Sequence, residues 1–104
     1  MPTAAEIRTP GEEMSVERRV VLYSGRVQGV GFRQVTVDFG LRYALGGTVK
    51  NLPDGKVELV VEGDATEIKS LLADVADHFR GYISRTVERI EPPTGLEPPV
   101  RVTW

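Results

Sequence analysis

The stretch GRVQGVGFRQ, residues 25–34, places three glycines and two arginines within ten positions. Glycine lets a backbone adopt positive φ, so a glycine-rich loop can point several N–H groups at one anion. Arg33 ends the loop with a permanent positive charge, and its planar fork matches phosphate oxygens. A plain chain reversal has a similar composition. Taken alone, the loop fits a structural turn and an anion cradle about equally well.

The context of the loop favours the cradle. Its spacing, G-x-x-x-G-x-G, is not the dinucleotide-binding G-x-G-x-x-G, and no Lys-Ser/Thr pair follows as in a P-loop. However, the loop follows a strand-like run, RRVVLYSG, at residues 18–25. A helix beginning after it would add free N–H groups and a favourable dipole. Together these features predict a site for a small phosphorylated ligand.

A second polar residue, Asn51, ends a short strand predicted at residues 48–51, before the tight turn LPDG. Taken alone, such an asparagine is typical of turn initiation. In a split βαβ arrangement, however, the first two strands run parallel and end on the same side of the sheet. That topology would bring Asn51 next to Arg33.

The elements that would position these residues are mostly clear from the sequence. Alternation at residues 57–61 predicts the second strand of a hairpin. Apolar residues at helical spacing predict a helix from Asp64, a candidate N-cap, to Gly81. Residues 82–91 and 100–104 are strand-like, with a Pro-rich connector between them.

The segment 34–45 is ambiguous. Its odd positions are all apolar, which slightly favours a strand, and Gly40 disfavours a helix. A helix here would give βαββαβ, the split βαβ ferredoxin-like order, whereas a strand would give a mostly-β domain with one helix.

Composition narrows the function further. The 104 residues fit one domain and carry a net charge of −2, which does not favour a nucleic-acid or membrane partner. The absence of cysteine excludes disulfides, thiol catalysis and Cys-ligated zinc, and is compatible with a cytoplasmic location. We expect residues 1–17 to be a disordered leader and residues 18–104 to form the domain. The lone histidine, His78, is expected near a helix end.

GRVQGVGFR followed by GTVKNLPDGKVELVVEG resembles the two signatures of the acylphosphatase family. The first signature matches throughout residues 27–33. The second matches at Gly47, Val49, Asn51, Gly55, Val57 and Gly63. It departs at Thr48, where the family usually carries an aromatic residue. The resemblance extends over residues 19–91.

This resemblance implies an α+β fold: a ferredoxin-like βαββαβ sandwich, with an antiparallel sheet and two helices on one face. The strand-like tail would add a short C-terminal edge strand. The resemblance also makes residues 34–45 a helix, against the alternation of apolar residues.

The resemblance further implies metal-independent hydrolysis of acyl phosphates to carboxylate and inorganic phosphate, with no cofactor. Arg33 and the backbone of the loop at residues 25–33 would bind the phosphate, and Asn51 would orient the attacking water. The phosphate-binding loop would comprise Gln28, Gly29, Val30, Gly31, Phe32 and Arg33. Among these, Gln28 is expected to brace the loop, and the nearby Arg26 to be a surface residue.

Two other functions stay open at this point: a phosphate-binding module without catalysis, and single-stranded RNA binding on the sheet. The second needs exposed aromatic residues and a basic surface, which this composition does not offer. We therefore expect a monomer that binds a small acyl phosphate, with phosphate or sulfate also held at the loop, and neither nucleic acid nor membrane as a partner.

Overall fold

The computed structural model describes residues 16–104, and the elements of this part follow in the order strand, helix, strand, strand, helix, strand, strand. They are β1 (Val16–Gly25), α1 (Phe32–Gly40), β2 (Gly46–Asn51), β3 (Val57–Asp64), α2 (Ala65–His78), β4 (Ile83–Glu91) and β5 (Val100–Val102). The predicted βαββαβ order is confirmed, and so is the short strand after it. In this part no helix is long and apolar enough to cross a membrane.

The sheet has the strand order β4-β1-β3-β2-β5. β1 and β2 each pair antiparallel with β3, so they run parallel to one another. Their last residues, Gly25 and Asn51, therefore lie at the same end of the sheet, as the sequence predicts. We call this the loop end. β5 differs from the other strands because it pairs parallel with its neighbour, β2.

Both helices contribute to one hydrophobic core on one face of the sheet. The strands β1, β2 and β3 contribute to this core, because alternate residues of each strand face the helices. Its fully buried members include Val21, Tyr23, Val49, Leu59, Val61, Ile68, Leu71 and Val75. α2 begins as predicted, since the Asp64 carboxylate accepts a hydrogen bond from the Thr66 backbone N–H at 3.1 Å.

α1 corrects the strand preference drawn from alternation. The helix begins at Phe32 rather than Gln34 and ends at Gly40, well before Leu45. Its buried stripe consists of Phe32, Thr36 and Gly40, at helical i, i+4, i+8 spacing. Two of these are small or polar, and the large apolar residues flank the stripe. A periodicity count based on apolar residues therefore missed the helix. Gly40 allows close packing, since a Cβ there would lie 3.2 Å from the side chain of Val100.

β1 begins at Val16, so Val16 and Glu17 belong to the sheet and not to the leader expected at residues 1–17. The rest of that expected leader lies outside the described residues, and its disorder stays a prediction.

The Pro-rich connector between β4 and β5 is held by one buried glutamate. Glu62 is only 3% exposed, and its Oε1 accepts the backbone N–H groups of Thr94, Gly95 and Leu96 at 2.9–3.2 Å. Its Oε2 accepts the Thr94 hydroxyl at 2.6 Å and the Arg18 guanidinium at 2.7 Å. Burial alone would raise the pKa of Glu62, but these hydrogen bonds outweigh it and lower the pKa to about 2. The sequence did not indicate this network.

Candidate active site

The loop between β1 and α1 has an open, left-handed backbone. Gly29 and Gly31 have φ of 76° and 80°, in the region that favours glycine. Gly31 is also the N-cap of α1, and no side chain of the described residues caps that helix end. The first N–H groups of the helix are therefore available to an anion, and the helix dipole favours a negative charge there.

Three glycines of the loop region have two different structural roles. A Cβ on Gly29 or Gly31 would meet no atom of the described residues within 4 Å. A Cβ on Gly25 would collide with the Tyr82 carbonyl oxygen, where β1 ends against the residues before β4. Gly25 thus allows close packing, whereas Gly29 and Gly31 provide the turn and leave its outer side open.

A cavity of about 320 Å³ opens at the loop end of the sheet. It is lined by Val27, Gly29, Gly31, Phe32, Arg33, Gln34, Asn51, Val102 and Trp104. The set includes one cation, one primary amide at a strand end and two left-handed glycines. It contains no acidic side chain and no histidine.

Arg33 has no ion-pair partner among residues 16–104. Its guanidinium carbon lies over the Trp104 ring, 4.5 Å from the ring centre, in a cation–π contact. This contact engages no hydrogen-bond acceptor, so the guanidinium N–H groups keep their capacity to donate to a ligand. By contrast, Arg18 and Arg19 each contact two carboxylates.

Asn51 and Gln28 hold different positions. Asn51 ends β2, and within the described part of the chain its side chain makes no hydrogen bond. The Gln28 amide donates to the carbonyl oxygens of Leu52 and Lys56, each at 2.9 Å. Gln28 therefore fastens the glycine loop to the β2–β3 turn, and this contact fixes the loop relative to Asn51.

The structure brings together most of the residues singled out in the sequence. Gly29, Gly31, Phe32, Arg33 and Asn51 line one cavity. The Phe32 ring itself is buried against Tyr23 and Phe79, so this residue can offer only its backbone.

Two members of the predicted loop are not in the cavity lining. Gln28 makes the contacts described above, and Val30 packs against the core. Arg26 lies 5.6 Å from the Tyr82 ring, outside the cavity lining. His78 is the last residue of α2 and packs edge-on against Phe39.

The sequence analysis missed Gln34, Val102 and Trp104, and it included Val27 only as part of the loop at residues 25–33. Val102 and Trp104 reach the cavity because β5 pairs parallel with β2, which carries the residues that follow β5 toward Asn51. The strand-like pattern of the tail predicted the strand but not its partner or direction. In residues 16–104 no group of three His, Cys, Asp or Glu side chains is placed to hold a metal ion.

Comparison with known proteins decides the family. The acylphosphatase family model matches residues 19–95. The chain belongs to the acylphosphatase family. It is 38% identical over 95 residues to the acylphosphatase of Chloroflexus aurantiacus, covering 88% of this chain and all of that protein.

Other acylphosphatases support the assignment over shorter stretches. Identity to the acylphosphatase of Anaeromyxobacter dehalogenans is 51% over 57 residues, which span 55% of this chain and 60% of that relative. The crystal structure of the acylphosphatase from Bacillus subtilis superposes with a TM-score of 0.74 at 26% identity, covering 86% of this chain and 99% of that one. The family and the ferredoxin-like fold that the sequence predicts are therefore confirmed.

Proposed function

We propose that this chain hydrolyses acyl phosphates to a carboxylate and inorganic phosphate. One observation carries the proposal: Arg33, free of carboxylate partners in the described chain, lines one cavity with Asn51 and the left-handed glycine loop. Membership of the acylphosphatase family points to the same reaction.

In this proposal the phosphate is bound by Arg33, by the backbone N–H groups around Gly29 and Gly31, and by the first N–H groups of α1. A guanidinium and several N–H donors match the oxygens of a phosphoryl group. Because these donors are fixed by the fold before substrate arrives, they also stabilise the charge on the phosphoryl oxygens in the transition state.

In this proposal the Asn51 amide orients the attacking water. A water molecule held by its amide attacks phosphorus, the bond from phosphorus to the bridging oxygen breaks, and the carboxylate leaves with the electron pair. The proton lost by the water passes to a phosphate oxygen or to solvent. A carboxylate is a good leaving group, so positioning and charge stabilisation can suffice, in keeping with a cavity lined by neither an acidic side chain nor a histidine.

The proposal includes three further expectations: the reaction needs no metal ion, the protein is a monomer, and it is located in the cytoplasm. Acetyl phosphate hydrolysis should proceed unchanged in the presence of excess EDTA. Arg33→Ala should abolish most of it, and Arg42→Ala is the matched control. Arg42 is an exposed arginine stacked on the Phe39 ring at 4.6 Å, outside the cavity lining.

Full activity in Arg33→Ala would overturn the assignment of the phosphate site. Phosphate binding without turnover of several acyl phosphates would favour a binding module instead. Inhibition by EDTA would contradict metal independence, and light scattering checks the monomer.

A further inference from the structure

Residues 100–104 are held against the cavity by strand pairing. The Thr103 N–H donates to the Val49 carbonyl oxygen at 2.9 Å, which extends the β5–β2 pairing to the residue before Trp104. Val102 and Trp104 then line the cavity beside Arg33. Trp104 is therefore placed by backbone hydrogen bonds to the same strand that carries Asn51.

Trp104 contributes little to the core, because 90% of it is exposed. A single exposed apolar side chain is ordinary on a protein surface, but this one lies at a cavity mouth, where its ring is accessible to a ligand. Two other apolar residues of the lining cannot offer such a surface. Val27 and Phe32 are almost fully buried and have no free surface to offer a ligand.

The cavity thus has two chemically distinct sides. Arg33, the glycine loop and Asn51 form a polar side suited to the phosphoryl group. Trp104, with the half-buried Val102, forms the apolar side. A substrate whose phosphoryl group occupies the polar side must direct its acyl group toward the remaining wall or toward solvent.

We propose that Trp104 is the acyl-group subsite and that it favours acyl phosphates with flat, apolar acyl groups, aromatic ones above all. This inference rests on the proposed function. An indole offers an aromatic acyl group a stacking surface, while a small acyl group such as acetyl reaches little of it. Trp104 then sets specificity, while Arg33 supplies affinity for phosphate.

The test compares benzoyl phosphate with acetyl phosphate, and measures inhibition by inorganic phosphate, in Trp104→Ala and Trp104→Phe. We expect Trp104→Ala to lower kcat/KM for benzoyl phosphate about tenfold more than for acetyl phosphate, the scale of one stacked aromatic pair. The inhibition constant of phosphate should change by less than about threefold, and Trp104→Phe should restore most of the discrimination.

Tyr82→Ala is the matched control, since Tyr82 is a second exposed ring beside an arginine but does not line the cavity. It should leave the ratio between the two substrates unaltered. Equal losses on both substrates, with weaker phosphate inhibition, would show that Trp104 only orients Arg33, and the subsite proposal would be wrong while the function stands. If the unmodified protein hydrolyses neither compound, the proposed function falls and the subsite with it.

Discussion

Arg18 and Arg33 lie near opposite ends of the same sheet, and their surroundings differ. Arg18 pairs across the sheet with Glu62 and contacts both Glu62 and Glu91. Arg33 has an aromatic face beside it and no carboxylate partner in the described residues. The first arginine is saturated by the fold itself, whereas the second keeps its donors for a ligand.

The carboxylate Glu62 shows what saturation achieves. It accepts hydrogen bonds from Arg18, from the Thr94 hydroxyl and from three consecutive backbone N–H groups. A buried charge is tolerated only when it is compensated in this way. The contrast shows that an arginine stabilises the fold where carboxylates surround it, as Arg18 does, and is available to bind a ligand where they do not, as at Arg33.

The largest expected effect separates these two arginines directly. Arg33→Ala should lower kcat/KM about 10²–10³-fold, the scale of losing a preorganised donor. Its unfolding free energy should change by less than about 0.5 kcal/mol, as for ordinary surface substitutions. Arg18→Ala should do the reverse: a loss of about 2 kcal/mol in stability with activity per folded molecule retained. Activity assays and urea unfolding of both variants measure these quantities. If both variants lose the same amount of stability, the proposed difference between the two arginines is wrong.

Asn51→Ala should lower kcat about 10²-fold while leaving inhibition by inorganic phosphate nearly unchanged. The reason is that its amide is assigned to the attacking water, not to the phosphoryl group. Steady-state kinetics with phosphate as inhibitor measures both quantities. A parallel loss of phosphate affinity would place Asn51 in the phosphate cradle instead.

Glu62→Gln tests the other end through pH. The pKa of Glu62 is lowered from 4.5 to about 2, so its charged form contributes stability above pH 4.5 that is lost as the pH falls toward 2. At pH 7 the variant should be about 2–3 kcal/mol less stable, and the difference from the unmodified protein should shrink across that acid range. Urea unfolding at pH 7, 4 and 3 measures it. A difference that is constant with pH would contradict the assignment.

The smallest effect concerns the loop backbone. Gly31→Ala should cost about 1 kcal/mol in stability, because alanine is strained at φ of 80° although no described atom would clash. Gly81→Ala is the control, with φ of 90° and equally open surroundings after α2. Similar unfolding free energies are expected for both, but only Gly31→Ala should also weaken phosphate inhibition. Equal phosphate inhibition in the two variants would remove Gly31 from the cradle.

Much of the fold follows from local patterns. Asp64 caps α2 as its type predicts, but the helix ends at His78 with Phe79 as its C-cap, before the Gly81 that was predicted to end it. α1 was the exception, since its buried stripe contains Thr36 and Gly40 and its apolar residues fall on both flanks. Only the resemblance to a known family identified that helix, and even then its bounds were shifted.

Within the candidate site, the sequence alone determined the residue types that can hold a phosphate: the glycine loop, Arg33 after it and Asn51 at a strand end. These are local signals, because turn conformation and strand ends are encoded by neighbouring residues. The tertiary structure alone decided that Arg33 has no carboxylate partner among residues 16–104 and that Trp104 lies over it. The position of Trp104 depends on the parallel register of β5 against β2, and pairing between strands distant in sequence leaves no local pattern to read.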